Sequence, residues 1–199
     1  MRVYAPGTSP FHVKGQSYLG IVGSVGAKYG SLEPLYAELT PELRDFASQV
    51  FLPVTWYDAL PLTPITQAVA RVEGLPHDVS MRARVRGVAE RDLGRLYRVV
   101  LAVASPEMVV WALQKVALRY FDFGKLEVLT TRRGMSEFVF SEFPEPLFPW
   151  FAPMFEGYAP VLLAASGARG IEVKVGAPER QGERHGVPLV ASLATLRWR

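Results

Sequence analysis

The sequence predicts an α+β fold in which helices from the first two thirds of the chain pack on a four-stranded antiparallel sheet from the last third, in ββαββ order. Three observations carry this. Apolar residues recur at helical spacing from Gln16 to about Asp122; past Gly124 the period changes to alternation; and Arg133-Gly134 separates two alternating stretches, as a hairpin turn does. We expect a single domain over 1–199, with an N-terminal arm at 1–15, a mainly helical lobe at 16–123 and a ββαββ lobe at 124–199.

The arm carries Pro6, Gly7 and Pro10 and reads as extended, with one short strand around Phe11 to Lys14. From Gln16 to Tyr29, Tyr18, Leu19, Val22, Val25 and Tyr29 recur at helical spacing, and Gly30-Ser31 ends that helix. Short helices follow from Ser31 and Thr40 as N-caps, the second with Pro41 at its first position and Glu42 in its first turn. Val50 to Leu62 is a connection that sets Trp56 and Tyr57 into the core. Thr63-Pro64 opens a helix that ends at Gly74.

A long helix is predicted from Ser80 to Ala104, with Met81, Val85, Val88, Leu93, Leu96, Tyr97 and Val100 as its apolar stripe. Ser105-Pro106-Glu107 then restarts a helix through Met108, Trp111, Val116 and Tyr120. Leu126 and Val128, then Phe138 and Phe140, alternate with polar neighbours around Arg133-Gly134. The segment from Pro144 to Pro160 leads into a helix ending near Gly167, with a kink or a late start because prolines 153 and 160 oppose a helix interior. Ile171 to Val175 and Val187 to Arg197 form a second hairpin across a polar loop.

Composition narrows the function. Hydrophobic residues make up 49% of the chain and charged residues 21%, which supports a packed core and opposes disorder. Cysteine is absent, so disulfides, thiolate nucleophiles and sulfur-ligated metals are excluded. The first fifteen residues hold no apolar stretch of a secretory signal and no run approaches a membrane span, so a cytoplasmic location is expected. The net charge of +3 comes from 22 cationic and 19 anionic side chains, too even a balance to imply specific nucleic-acid binding.

The ordered set of His12-Val13-Lys14-Gly15, Trp56-Tyr57, Ala89 with Asp92 and Tyr97, Ser105-Pro106-Glu107, the Tyr120 to Gly124 exit and Phe143-Pro144 resembles a family of small myxobacterial proteins near the 4-vinyl reductase type ligand-binding domains. The wider group is similar to haem-dependent nitric oxide sensor domains and to small subunits of vesicle-tethering complexes. That resemblance implies helices over a four-stranded sheet with a pocket between, and a binding role: gases through haem, apolar small molecules, or partner proteins. The cysteines that often mark the final hairpin of vinyl-reductase-like domains are replaced here by Arg184-His185-Gly186.

Four candidate sites follow. Trp111, Tyr120, Phe148, Phe151, Phe155 and Tyr158 are dense enough to line an apolar ligand pocket, although the same residues would equally fill a core or, around Phe148, a surface ridge. Gly20, Gly23 and Gly26 recur every third residue inside a helix, at roughly 1 kcal/mol each relative to alanine, which suits close approach of another backbone within the fold or across a homodimer. Asp92 is placed to pair with Arg86 or Arg95 as a structural ion pair within an arginine-rich helix, the alternative being an anion-reading face of Arg91, Arg95 and Arg98.

The fourth candidate is metal or haem. His12, His77 and His185 are scattered, which opposes a metal site, and no histidine lies between Asp78 and Gly182 to serve as a proximal haem ligand; only His77, at a helix entrance, keeps haem open. No histidine pairs with both a nucleophile and an orienting group, so no catalytic residue is expected. The expectation is a non-catalytic binding or sensory module with an apolar small-molecule pocket and no cofactor. Its alternatives are a protein-interaction or homodimer module and, less favoured, a haem-dependent gas sensor.

Overall fold

The computed structural model describes residues 3–92 and 104–199, the side chains of 92 and 115–118 excepted. Two sheets, seven α-helices and one 3-10 turn of helix at Glu145–Leu147 are seen among these residues. The arm enters through β1 (His12–Lys14), which pairs antiparallel with β2 (Trp56–Asp58). Between them lie α1 (Gln16–Tyr29), α2 (Glu33–Ala37) and α3 (Pro41–Ser48). After β2 come α4 (Leu62–Glu73), α5 (His77–Asp92) and α6 (Pro106–Tyr120).

The second lobe is β3 (Lys125–Arg132), β4 (Met135–Pro144), α7 (Phe148–Ala165), β5 (Glu172–Val175), β6 (Glu179–Arg184) and β7 (Val187–Arg197). Leu126 opposes Phe140, Val128 opposes Phe138, and Phe138 opposes Ala194, so one sheet face is apolar. α7 lies on that face. Phe151 meets Phe140 and Phe143 at ring-centroid distances of 4.6 and 4.3 Å, and Phe155 meets Phe140 at 4.9 Å. The core continues into the helical lobe through Tyr18, Leu35, Leu62, Ile65 and Met81.

Several expectations hold in detail. α1 spans the predicted residues and ends at Gly30, whose φ of 72° is the left-handed cap that glycine adopts freely. Thr40 and Ser105 cap α3 and α6 by accepting from the Leu43 and Met108 amides. Gly74 closes α4, and Gly134 turns the β3–β4 hairpin at φ 78°.

Others are corrected. The main sheet has five strands, not four: the long β7 pairs with β4 along one side, while β5 and β6 share its other side, β6 against Val187 to Ala191 and β5 against Ala194 to Arg197. The sequence Glu179 to Arg184 holds no apolar side chain and is exposed up to Glu183, so no alternation betrays it. Ser31 caps nothing; α2 begins after Leu32. Trp56 stays 42% exposed under the Lys14 ammonium, 3.7 Å from its ring centroid, instead of entering the core.

The predicted helix start at Ser80 moves back to His77, because the Ser80 amide donates to the Pro76 carbonyl and so opens the first turn there. The stretch predicted beyond Asp92, with Leu93 to Val100, lies outside the described residues. α7 begins at Phe148 and carries Pro153 and Pro160 inside it. The carbonyls four residues before them lose their amide partners. Burial of Phe151, Pro153, Phe155, Ala159 and Leu163 holds the helix together regardless. Among the described residues no helix is long and apolar enough to cross a membrane.

Candidate functional site

Where α1, α5 and α7 converge over the sheet, they leave a partly enclosed cavity of about 160 Å³. α1 contributes Gln16, Ser17, Gly20 and Ile21, and α5 contributes Met81, Arg84, Val85 and Val88. The floor is Leu126 and Phe140 of the sheet, and the far wall is Trp150, Phe151, Met154, Phe155 and Tyr158 of α7. Leu113, Tyr120 and Phe121 close it from α6 and its exit. Helical spacing explains the walls: 81, 84, 85 and 88 share one face of α5, as 151, 154, 155 and 158 share one face of α7.

The cavity brings together four of the six ligand-pocket residues expected from sequence: Tyr120, Phe151, Phe155 and Tyr158. It excludes two. Trp111 is 52% exposed on the outer face of α6, and Phe148 packs against the core beyond the cavity. Helical position separates them, since Trp111 lies on the side of α6 opposite Val110 and Leu113, which are buried.

The glycine row behaves differently from its expected packing within the fold. A Cβ at Gly23 or Gly26 would meet nothing within 4 Å, and one at Gly20 would touch only Val88, 3.6 Å away. Gly20 therefore widens the cavity. The glycine that lets two helices approach is Gly157 of α7, where a Cβ would stand 2.8 Å from the Arg82 carbonyl oxygen of α5. Sequence reasoning missed it because a single glycine in a helix carries no periodic signal.

The expected ion pair of Asp92 with Arg86 or Arg95 falls on undescribed groups, the Asp92 side chain and Arg95; Arg86 is exposed. The buried pair that is seen joins α5 to α4. Arg84 Nη2 donates to Glu73 Oε1 at 2.8 Å, with the two side chains 7% and 12% exposed. Ser80 donates to the other Glu73 oxygen, Arg84 Nη1 donates to Ser24, and Lys28 stands 3.7 Å from Glu73. Arg84 Nε is buried and has no hydrogen-bond partner among the described residues. A signal for this pair exists in the sequence: Arg84 interrupts the apolar stripe formed by Met81, Val85 and Val88.

None of the three histidines reaches the cavity. His12 Nδ1 pairs with Asp122 at 2.6 Å near the surface, and His77 Nε2 bonds Thr66 Oγ1 at 2.9 Å. Burial pushes the His77 pKa below its usual value, against an opposing pull from Asp78. His185, with φ 55°, and Gly186, with φ 78°, turn the β6–β7 hairpin. Among the described residues no group of three histidine or acidic side chains is placed to hold a metal.

Fold and cavity together define an α+β pocket domain. It has the fold of the H-NOX domains. The Fe(II) unliganded H-NOX protein from K. algicida superposes with a TM-score of 0.64 at 10% identity, over 94% of this chain and 96% of that one. A Cs H-NOX variant carrying 4-cyano-L-phenylalanine gives 0.60 at 14% identity over 94% and 96%. A structure described as probing heme distortion in the H-NOX family gives 0.59 at 14% over 94% and 95%. At these identities the shared property is the fold. No family model and no curated protein matches the chain. The resemblance to nitric oxide sensor domains thus holds at the level of fold, while its 4-vinyl reductase and myxobacterial parts rest on the sequence motifs alone.

Proposed function

We propose that this chain is a sensory-type binding module without catalytic activity, which takes a small apolar molecule into the cavity between α1, α5 and α7. The observation that carries the reading is the cavity itself: about 160 Å³, walled by aromatic, aliphatic and thioether groups. An apolar protein cavity of roughly 150 Å³ is large enough to bind benzene. The ligand is therefore small, or it enters with some opening of the helices.

The test is a thermal-melting panel of alkylbenzenes, aromatic acids and short fatty acids, with native mass spectrometry of the purified protein. A ligand at 100 times its Kd adds about 2.7 kcal/mol, which raises Tm by roughly 5–10 °C in a domain of this size. A panel without any shift, and a protein that carries no small molecule, would sink the proposal.

One observation favours a second reading, haem-dependent gas sensing. Solved chains of the same fold are described by their iron and heme, and on fold alone that ranks haem above an unspecified apolar ligand. The donors at this cavity oppose it. Haem iron in proteins is held by histidine, cysteine, a methionine–histidine pair or tyrosine. The chain has no cysteine and no histidine from 78 to 184, and its three histidines stand away from the cavity. The described lining offers Met81, Met154, Tyr120 and Tyr158, which do not fit a histidine-ligated haem. Titration with haemin separates the readings. A spectrum identical to free haemin supports the apolar-ligand module, whereas a saturable Soret band abolished by His77→Ala, Tyr120→Phe or Tyr158→Phe supports haem.

A further inference from the structure

We infer that the ligand of this cavity is a small amphiphile with a carboxylate head, held at Arg84; this deepens the pocket reading and rests on it. Arg84 is the one charged side chain among the described lining residues. Its side chain is 7% exposed, so the charge is fixed in a low-dielectric wall beside an apolar space.

The hydrogen bonds of Arg84 are incomplete on one side. A guanidinium carries five N–H donors. Nη1 donates to Ser24 Oγ, and Nη2 donates to Glu73 Oε1 at 2.8 Å and more weakly to Ser80 Oγ at 3.5 Å. Nε, equally buried, has no acceptor among the described residues. A buried donor on a charged group left unpaired is costly, and a missing partner accounts for one; the ligand head reaches Nε, which is closed to solvent, through a shift of the Arg84 side chain.

Charge points the same way. Arg84, and at 3.7 Å the 54% exposed Lys28, both face Glu73, whose carboxylate is also occupied by the Ser80 hydroxyl. Among the described residues no second carboxylate pairs with Arg84, so the wall suits an incoming anion and not a second cation. The remaining walls, Phe140, Phe151, Phe155, Val85 and Val88, accept an aromatic or aliphatic body. Pockets of this kind use many apolar contacts for affinity and a few polar groups for orientation.

Calorimetric titration of the intact protein with phenylacetate, the isosteric neutral phenylacetamide and ethylbenzene tests this. Phenylacetate is expected to bind at least tenfold more tightly than either neutral probe. In the double variant Arg84→Met/Glu73→Gln, which removes both members of the buried pair together, phenylacetate should lose at least tenfold in affinity relative to ethylbenzene measured in the same variant, so that the preference vanishes. Arg84→Lys, which retains the charge without Nε, should lose most of the preference and remain folded by circular dichroism.

Equal binding of acid and amide by the wild type overturns the inference, as does a preference that survives in the double variant. Ethylbenzene binding as tightly as phenylacetate removes the carboxylate head and leaves the pocket reading intact. Binding of none of the three probes removes both.

Discussion

Arg84 and Glu73 meet at 2.8 Å in a wall that shields both from solvent, one on α5 and the other at the last residue of α4. The pair ties these two helices together at the edge of the cavity. Glu73→Ala leaves the Arg84 charge buried with only hydroxyl partners, and chemical denaturation should register a loss of about 3–5 kcal/mol. Arg71 and Glu38, also ion-paired but 53% and 41% exposed, supply the control: Glu38→Ala should cost at most about 1 kcal/mol.

Two glycines in helices should respond in opposite directions. Gly157→Ala drives a methyl group to within 2.8 Å of the Arg82 carbonyl and forces α5 and α7 apart, at a cost on the order of 1–3 kcal/mol. Gly23→Ala meets open space in a helix interior and should stabilise by about 0.5–1 kcal/mol in urea titrations. If Gly23 instead serves a homodimer, as proposed from the glycine row, Gly23→Leu converts a dimer seen by light scattering into monomer.

Asp58 fastens the N-terminal arm. Its carboxylate is buried and accepts from the Gly7, Ser9 and Leu60 amides at 2.9, 3.0 and 2.9 Å, and from the Ser9 hydroxyl. Asp58→Ala strands these donors and should destabilise the fold by on the order of 3 kcal/mol. Limited proteolysis should then cut first within residues 3–11.

His77 gives stability a pH dependence. Burial depresses its pKa in the folded state, so the unfolded chain binds the proton more readily. The contribution is complete above the ordinary histidine value of about 6.5 and is lost as pH falls through the depressed folded value. Urea midpoints measured from pH 7.5 downward should decline for the wild type. In His77→Gln the part of that decline which begins near pH 6.5 should disappear.

Elements with a local cause were legible in the sequence. Thr40 and Ser105 name their helix starts, Gly30 and Gly74 name helix ends, and Gly134 names a hairpin, because each acts through its own backbone. What depends on partners distant in sequence was not. β6 is made a strand by hydrogen bonding to β7, not by its own polar residues. Trp111 and Phe151 have the same chemistry, and only helix orientation places the second at the cavity. Arg84 stands among several arginines of the same stretch, and its burial against Glu73 depends on a partner in another helix.

The space between α1, α5 and α7 is proposed to bind a small molecule through its own apolar walls. The most direct measurement is calorimetric titration of ethylbenzene into the wild type and into Val85→Phe, which fills the cavity from the α5 side. Saturable binding with a negative ΔCp is expected in the wild type, and affinity at least tenfold weaker in a Val85→Phe protein of unchanged circular dichroism. No binding to the wild type, or equal affinity in both proteins, would contradict it.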